Sequence, residues 1–108
     1  MDRVPYEGEA VAAAQANGDK VILGIWAVWC ETCQTQIAIL DALADDPRFA
    51  DVTIFHIDYD RQKPVMRLIG AAVRSQMIAF DGDEEIGRLI NVTDPAAIEE
   101  FLVALVEH

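Results

Sequence analysis

From Val21 to Ala27 the chain reads VILGIWA, with no polar side chain to offer water on either face of an extended backbone. An unbroken apolar run rich in Val and Ile and bounded by a turn is the pattern of a strand buried on both sides, as in the middle of a parallel sheet. Such a strand needs a layer of helices above it and another below. Directly after it come both of the chain's cysteines, Cys30 and Cys33, at the point where a helical pattern begins.

The remaining segments supply those layers. Residues 7–17 are alanine-rich and closed by Gly18, which predicts a first helix. From Glu31 to about Asp45, Ile37, Leu40 and Leu43, with Ala44, recur at helical spacing until Pro47 ends the pattern. Residues 51–58, DVTIFHID, form a second apolar strand, and residues 64–70 a short helix with Val65, Leu68 and Ile69 on one face. QMIAF and EEIGRLI flank DGDE, an Asp-Gly hairpin between two strands. Asp94 is the expected cap and Pro95 the first residue of a last helix, with Ile98, Phe101, Leu102 and Leu105 as its buried stripe. These patterns predict an α/β fold in one domain, residues 1–108, built on a central mixed sheet of four to five strands with helices on both faces.

Charge and hydropathy exclude several functions. Nineteen acidic against eight basic residues give a net charge of -11, which repels nucleic acid. No apolar run approaches the ~20 residues of a membrane-spanning helix, so no membrane insertion is expected. MDRVPYEGEA lacks a basic segment followed by an apolar one. The expected compartment is the bacterial cytoplasm if Met1 is the native start, and the periplasm if Met1 replaces a cleaved leader.

Between a strand and a helix, Cys-x-x-Cys reads as a redox dithiol. Cys30 falls where free backbone N–H groups and the helix dipole favour a thiolate, and Cys33 lies one turn further, within bonding reach. A dipole contribution of up to ~2 kcal/mol would bring Cys30 from ~8.5 to roughly 7. Glu31, some ~7 Å away and pointing outward, opposes this by about 0.6 kcal/mol. Cys30 is expected to be open to a visiting disulfide. The bland reading of the pair, an inert or statically bridged one, lacks a reason for this position.

Trp26, Ala27, Trp29, Cys30 and Cys33 fit the pattern W-A-x-W-C-x-x-C, and residues 20–105 resemble thioredoxin and its relatives. The resemblance implies a thioredoxin fold and thiol–disulfide exchange, with Cys30 as nucleophile, Cys33 as resolving thiol and Trp29 flanking them. It also implies protein or peptide disulfides as substrates, an electron-donating reductase as partner, a monomer, and no cofactor or metal. Several positions depart from the family. Gly24 stands where a buried Asp is usual and Ile54 where a lysine is usual, so Cys33 lacks a built-in proton acceptor. Glu31 and Thr32 replace Gly-Pro between the cysteines, and Ala38 replaces a helix-kinking proline. Ser75 stands at the family's cis-proline; a cis bond before serine costs ~3 kcal/mol or more, so a trans peptide is expected. Arg74 should lie beside the dithiol, favouring the thiolate or receiving an acidic substrate segment.

Other conspicuous residues take structural readings. Trp26 is expected in the core. His56, two residues before Asp58, is expected to be packed and hydrogen-bonded rather than a metal ligand, because zinc wants about four ligands. The acidic hairpin 81–85 lacks calcium-loop spacing, Asn91 in NVT is a loop residue before the Asp94 cap, and His108 is a free end. Two functions follow: an oxidoreductase leaning to reduction because Glu31 disfavours the thiolate, or a peptide-binding module of the same fold with idle thiols.

Overall fold

A computed structural model describes residues 1–108. In chain order its elements are β1 (Asp2–Pro5), α1 (Gly8–Ala16), β2 (Lys20–Trp26), α2 (Glu31–Ala42), β3 (Thr53–Asp58), α3 (Lys63–Leu68), β4 (Gln76–Asp81), β5 (Glu84–Ile90) and α4 (Pro95–Glu107). The strands form one mixed sheet in the order β1-β3-β2-β4-β5, with the apolar run at its centre. β2 runs parallel to β3 and antiparallel to β4, and β1 lies parallel to β3 on the outer edge.

Alternation along β2 divides the core in two. Ile22 and Trp26 face α2 and α4, packed with Leu40, Ile54, Met77, Ile98 and Leu102. Val21, Leu23 and Ile25 face α1 and α3, packed with Val11, Phe55, Ile57 and Met66. Each such side chain removed from water stabilises the fold by about 1.5–3 kcal/mol, so β2 has no face on which a polar residue is cheap.

Several boundaries differ from the patterns. β1 had no sequence signature, because its four residues are all exposed and its pairing to β3 is a backbone matter; Pro5 is tolerated on an edge strand. α2 stops at Ala42 rather than near Asp45, and a short 3₁₀ turn, Pro47–Phe49, capped by Asp46, drops Phe49 into the core. The hairpin turns at Gly82 (φ +60°), and a register shift beside Ala79 and Phe80 leaves Ile86 as the extra residue of β5. His108 is not free. Its ring bonds Asp81 at 2.8 Å, its carbonyl accepts from Lys20 Nζ at 3.1 Å, and His108 and Lys20 together hold the Asp81 carboxyl below its ordinary range.

Candidate active site

Cys30 is the N-cap of α2. Its backbone is extended (φ -92°, ψ 114°), and its Sγ accepts the Cys33 N–H at 3.2 Å, the role a serine or aspartate oxygen plays in an ordinary cap. Helical periodicity then brings Cys33 back over Cys30, and both are free thiols. The other element of the site is the loop between α3 and β4. Ser75 Oγ lies 3.2 Å from Cys30 Sγ and 3.1 Å from Cys33 Sγ, so one hydroxyl touches both sulfurs.

Ser75 is held there from three sides. Its N–H donates to the Ile25 carbonyl at 2.8 Å, and its own carbonyl accepts from the Asn91 N–H at 2.8 Å and from Gln36 Nε2 at 3.1 Å. The expected trans peptide is present, as no peptide bond in the chain is cis, but Ser75 adopts a left-handed φ of +58°. A non-glycine residue there is strained, and the three hydrogen bonds keep it in place. Asn91 shares that conformation, as a loop residue before the Asp94 cap.

The two thiols are made unequal by these contacts. Burial opposes ionisation of Cys30, but hydrogen bonds from the Cys33 thiol, the Ser75 hydroxyl and the Cys33 N–H outweigh it and bring its pKa down to about 7. Arg74 adds a smaller push in the same direction, without a regular hydrogen bond to the sulfur. Burial, and then the neighbouring Cys30, push Cys33 up. Hydrogen bonds specific to this site, more than the helix start alone, carry the lowering of Cys30. Glu31 faces solvent and is not among the groups acting on Cys30, and half-buried Thr32 makes no hydrogen bond to either sulfur.

Cys30 is less open than expected, only 4 % exposed, because the Ser75 loop covers it; Cys33 is wholly buried. Val28 and Trp29 beside them are exposed, Trp29 by 58 %. The Trp29 ring is fixed at its edge by Asp60, whose Oδ2 accepts from Nε1 at 2.8 Å, and on its face by Arg74 at 4.7 Å.

Beneath the dithiol the family's acid has been replaced by a ring. A Cβ on Gly24 would stand 2.1 Å from the Trp26 indole, which lies across that position. Trp26 Nε1 donates to Gln36 Oε1 at 2.9 Å, and Gln36 Nε2 donates onward to the carbonyls of Ser75 and Val92. Sequence reasoning missed Gln36, although a glutamine between Cys33 and Leu40 on the inward stripe of α2 was the available sign. It missed Asp60 altogether, since nothing local links it to Trp29. His56 is packed as expected, edge-on to Trp26 at 5.1 Å, and burial, then Arg3, lower its pKa, so the ring is neutral at pH 7.

The Ser75 hydroxyl has a measurable share in this arrangement. A hydrogen bond to a charged group contributes ~1.5–3 kcal/mol, so S75A should raise the Cys30 pKa by about 1–2 units. Thiolate absorbance against pH reads this directly, and an unmoved midpoint would mean the hydroxyl does not favour the thiolate.

Fold and site together define a thioredoxin-like domain: a mixed sheet between helical layers, with a Cys-x-x-Cys dithiol at the start of the helix after the central strand. The model of the Redoxin family matches residues 2–106, and the chain belongs to that family. A crystal structure of Trxlp from Edwardsiella tarda EIB202 superposes with a TM-score of 0.89 at 31% identity, covering 93% of this chain and 97% of that one. The thiol:disulfide interchange protein DsbE of Escherichia coli (strain K12) is 30% identical over 89 residues, 81% of this chain and 45% of DsbE. The bifunctional thioredoxin reductase/thioredoxin of Mycobacterium leprae is 26% identical over 83 residues, 77% of this chain and 18% of that protein. The chain thus spans less than half the length of these curated relatives.

Proposed function

We propose that this chain reduces disulfides in proteins or peptides by thiol–disulfide exchange. The observation that carries the reading is the inequality of two touching thiols at one helix start, Cys30 poised to ionise near neutral pH and Cys33 kept protonated. The Cys30 thiolate attacks one substrate sulfur, forming a mixed disulfide and releasing the other sulfur as a thiolate that takes up a proton. Cys33 Sγ then attacks Cys30 Sγ, the protein disulfide forms, and the second substrate sulfur leaves. In that step Ser75 Oγ takes the Cys33 proton while handing its own to the departing sulfur, standing in for the acid that Gly24 cannot supply. Two electrons pass to the substrate, and an external dithiol reductase must restore them.

The modest lowering of Cys30 supports this direction. A pKa of about 7 is that of a reducing dithiol, whereas strong oxidants hold the attacking thiolate near ~3.5 and so stabilise their reduced form. This replaces Glu31 as the reason. The names of the relatives, thioredoxin and thiol:disulfide interchange protein, support exchange chemistry. The near-complete burial of Cys30 is what favours the alternative, a peptide-binding module with idle thiols.

Insulin reduction by dithiothreitol separates the two. The chain should accelerate precipitation, and Cys30 alkylation should rise as pH increases through about 7 and level off above, because only the thiolate reacts. No acceleration, with an alkylation midpoint at or above that of an ordinary thiol, would favour the binding module.

A further inference from the structure

Charge is distributed unevenly along the chain. Residues 61–80 contain Arg61, Lys63, Arg67 and Arg74 and not one acidic residue, while the rest of the chain carries all nineteen acidic residues and four basic ones. Those four basic residues are all ion-paired: Arg3 with Asp41, Lys20 with Asp81, Arg48 with Asp46 and Glu99, and Arg88 with Glu85. None of the four in 61–80 makes an ion pair. In a protein of net charge -11, every cation away from this segment is neutralised and every cation within it is left available.

Two of the free cations, Arg74 and Lys63, line up with the residues flanking the dithiol. Arg74, adjacent to Ser75, sits 4.7 Å over the Trp29 ring; Tyr59 meets Trp29 edge-on at 6.3 Å; Lys63 Nζ lies 3.1 Å from the Tyr59 centroid. A continuous rack of cation, two aromatic rings and cation therefore leads from the residue after Val73 to the first turn of α3. A guanidinium laid on a ring keeps its outer N–H donors free for a carboxylate. Of the acidic groups nearby, Asp58 accepts the N–H groups of Asp60 and Arg61 and Asp60 accepts from Trp29, while Glu31 faces solvent on the α2 side of the dithiol. Large apolar side chains are exposed on the same segment or next to Cys30, with Leu68 at 81 %, Val73 at 44 % and Val28 at 82 %.

We propose that this rack docks an acidic segment of the disulfide-bearing protein partner, its carboxylates on Arg74, Lys63, Arg61 and Arg67 and its apolar residues on Trp29 and Val73. The inference rests on the disulfide-exchange reading and names the partner's chemistry. A protein segment is the occupant because the rack mixes cations with exposed apolar groups and ends at Cys30. A long polyanion would meet the acidic remainder of the surface. The same acidic surface repels the partner elsewhere and so steers it to the dithiol.

The test compares the native chain with the triple variant R61E/K63E/R67E, in which no altered residue touches either sulfur. Three disulfides are offered: a cyclic peptide flanked by Asp and Glu, its counterpart flanked by Lys, and uncharged 2-hydroxyethyl disulfide. At low salt the native chain should reduce the acidic peptide with kcat/KM about ten-fold above the basic one, through KM, and the preference should reverse in the variant. About 0.5 M NaCl should bring both ratios towards one. The rate with 2-hydroxyethyl disulfide should be the same for both proteins, which also shows that the variant is folded. Equal rates with the two peptides, or a preference untouched by the variant, overturn the docking proposal and leave the redox reading standing. If no disulfide is reduced, the redox reading fails, and Trp29 fluorescence titrated with the acidic peptide decides the docking: saturable, salt-sensitive quenching lost in the variant upholds it, and no quenching overturns it.

Discussion

Replacing Cys30 with serine should bring turnover of every disulfide substrate to background, while C33S should halt the chain with substrate covalently attached through Cys30. The attacking species is a thiolate, and a serine hydroxyl at position 30 does not ionise near neutral pH under the hydrogen bonds that bring the thiol to about 7. In C33S the first attack still proceeds, but a hydroxyl at position 33 is no nucleophile towards the mixed disulfide. The adduct should accumulate towards one substrate per chain and be visible as a mass increase that dithiothreitol reverses. C33A, which removes the largest of the contacts that favour ionisation and leaves no donor in its place, should raise the Cys30 pKa above about 7. A C33S protein turning over at the native rate with no adduct would remove the resolving role from Cys33, and with it the proton route through Ser75.

The second large effect concerns position 24, where an aspartate would restore the residue usual in the family. G24D should instead destabilise the domain strongly. Its Cβ would stand 2.1 Å from the Trp26 ring, and that ring has nowhere to go: it is buried, hydrogen-bonded to Gln36 and packed on His56. Overpacking costs about 1–3 kcal/mol. A buried carboxylate without a cation, since Ile54 stands where a lysine would, adds several more. A loss of more than about 4 kcal/mol takes a large part of an ordinary stability margin, and for a domain of this size lowers Tm by ~20 °C. Thermal unfolding followed by circular dichroism measures it. W26A should recover part of the loss in the double variant, because the clash is with that ring. If G24D alone melted within a few degrees of the parent, the ring would not lie where it is described.

The pairs at the centre of both predictions, Cys30 with Cys33 and Gly24 with Trp26, are near neighbours, but Ser75 beside the sulfurs and His56 beside the ring come from far along the chain, and that divides what was legible from what was not. The strand buried on both faces, the Asp-Gly hairpin, the Asp94–Pro95 helix start and the dithiol at the head of α2 were all readable. The exposed edge strand β1 was not, because a strand that contributes backbone pairing but no buried side chain leaves no periodic trace. Arg74 lies over the Trp29 ring, and the lowering of the Cys30 pKa comes chiefly from hydrogen bonds rather than from the helix dipole. The helix dipole is a local property and could be reckoned from the helix start alone, whereas the Ser75 hydrogen bond could not.

From the sequence by itself came the class of fold, the two redox sulfurs and the absence of a buried acid, since side-chain period, capping residues and motif spacing are written in contiguous residues. Tertiary structure alone decided what stands around those sulfurs and that ring. Ser75 reaches sulfurs 45 and 42 positions away, and Gln36 ties Trp26 to Ser75 and Val92 across as many as 56. Such contacts exist only once the sheet order has set the Ser75 loop against the start of α2, and no local pattern of residues encodes a meeting that chain folding creates.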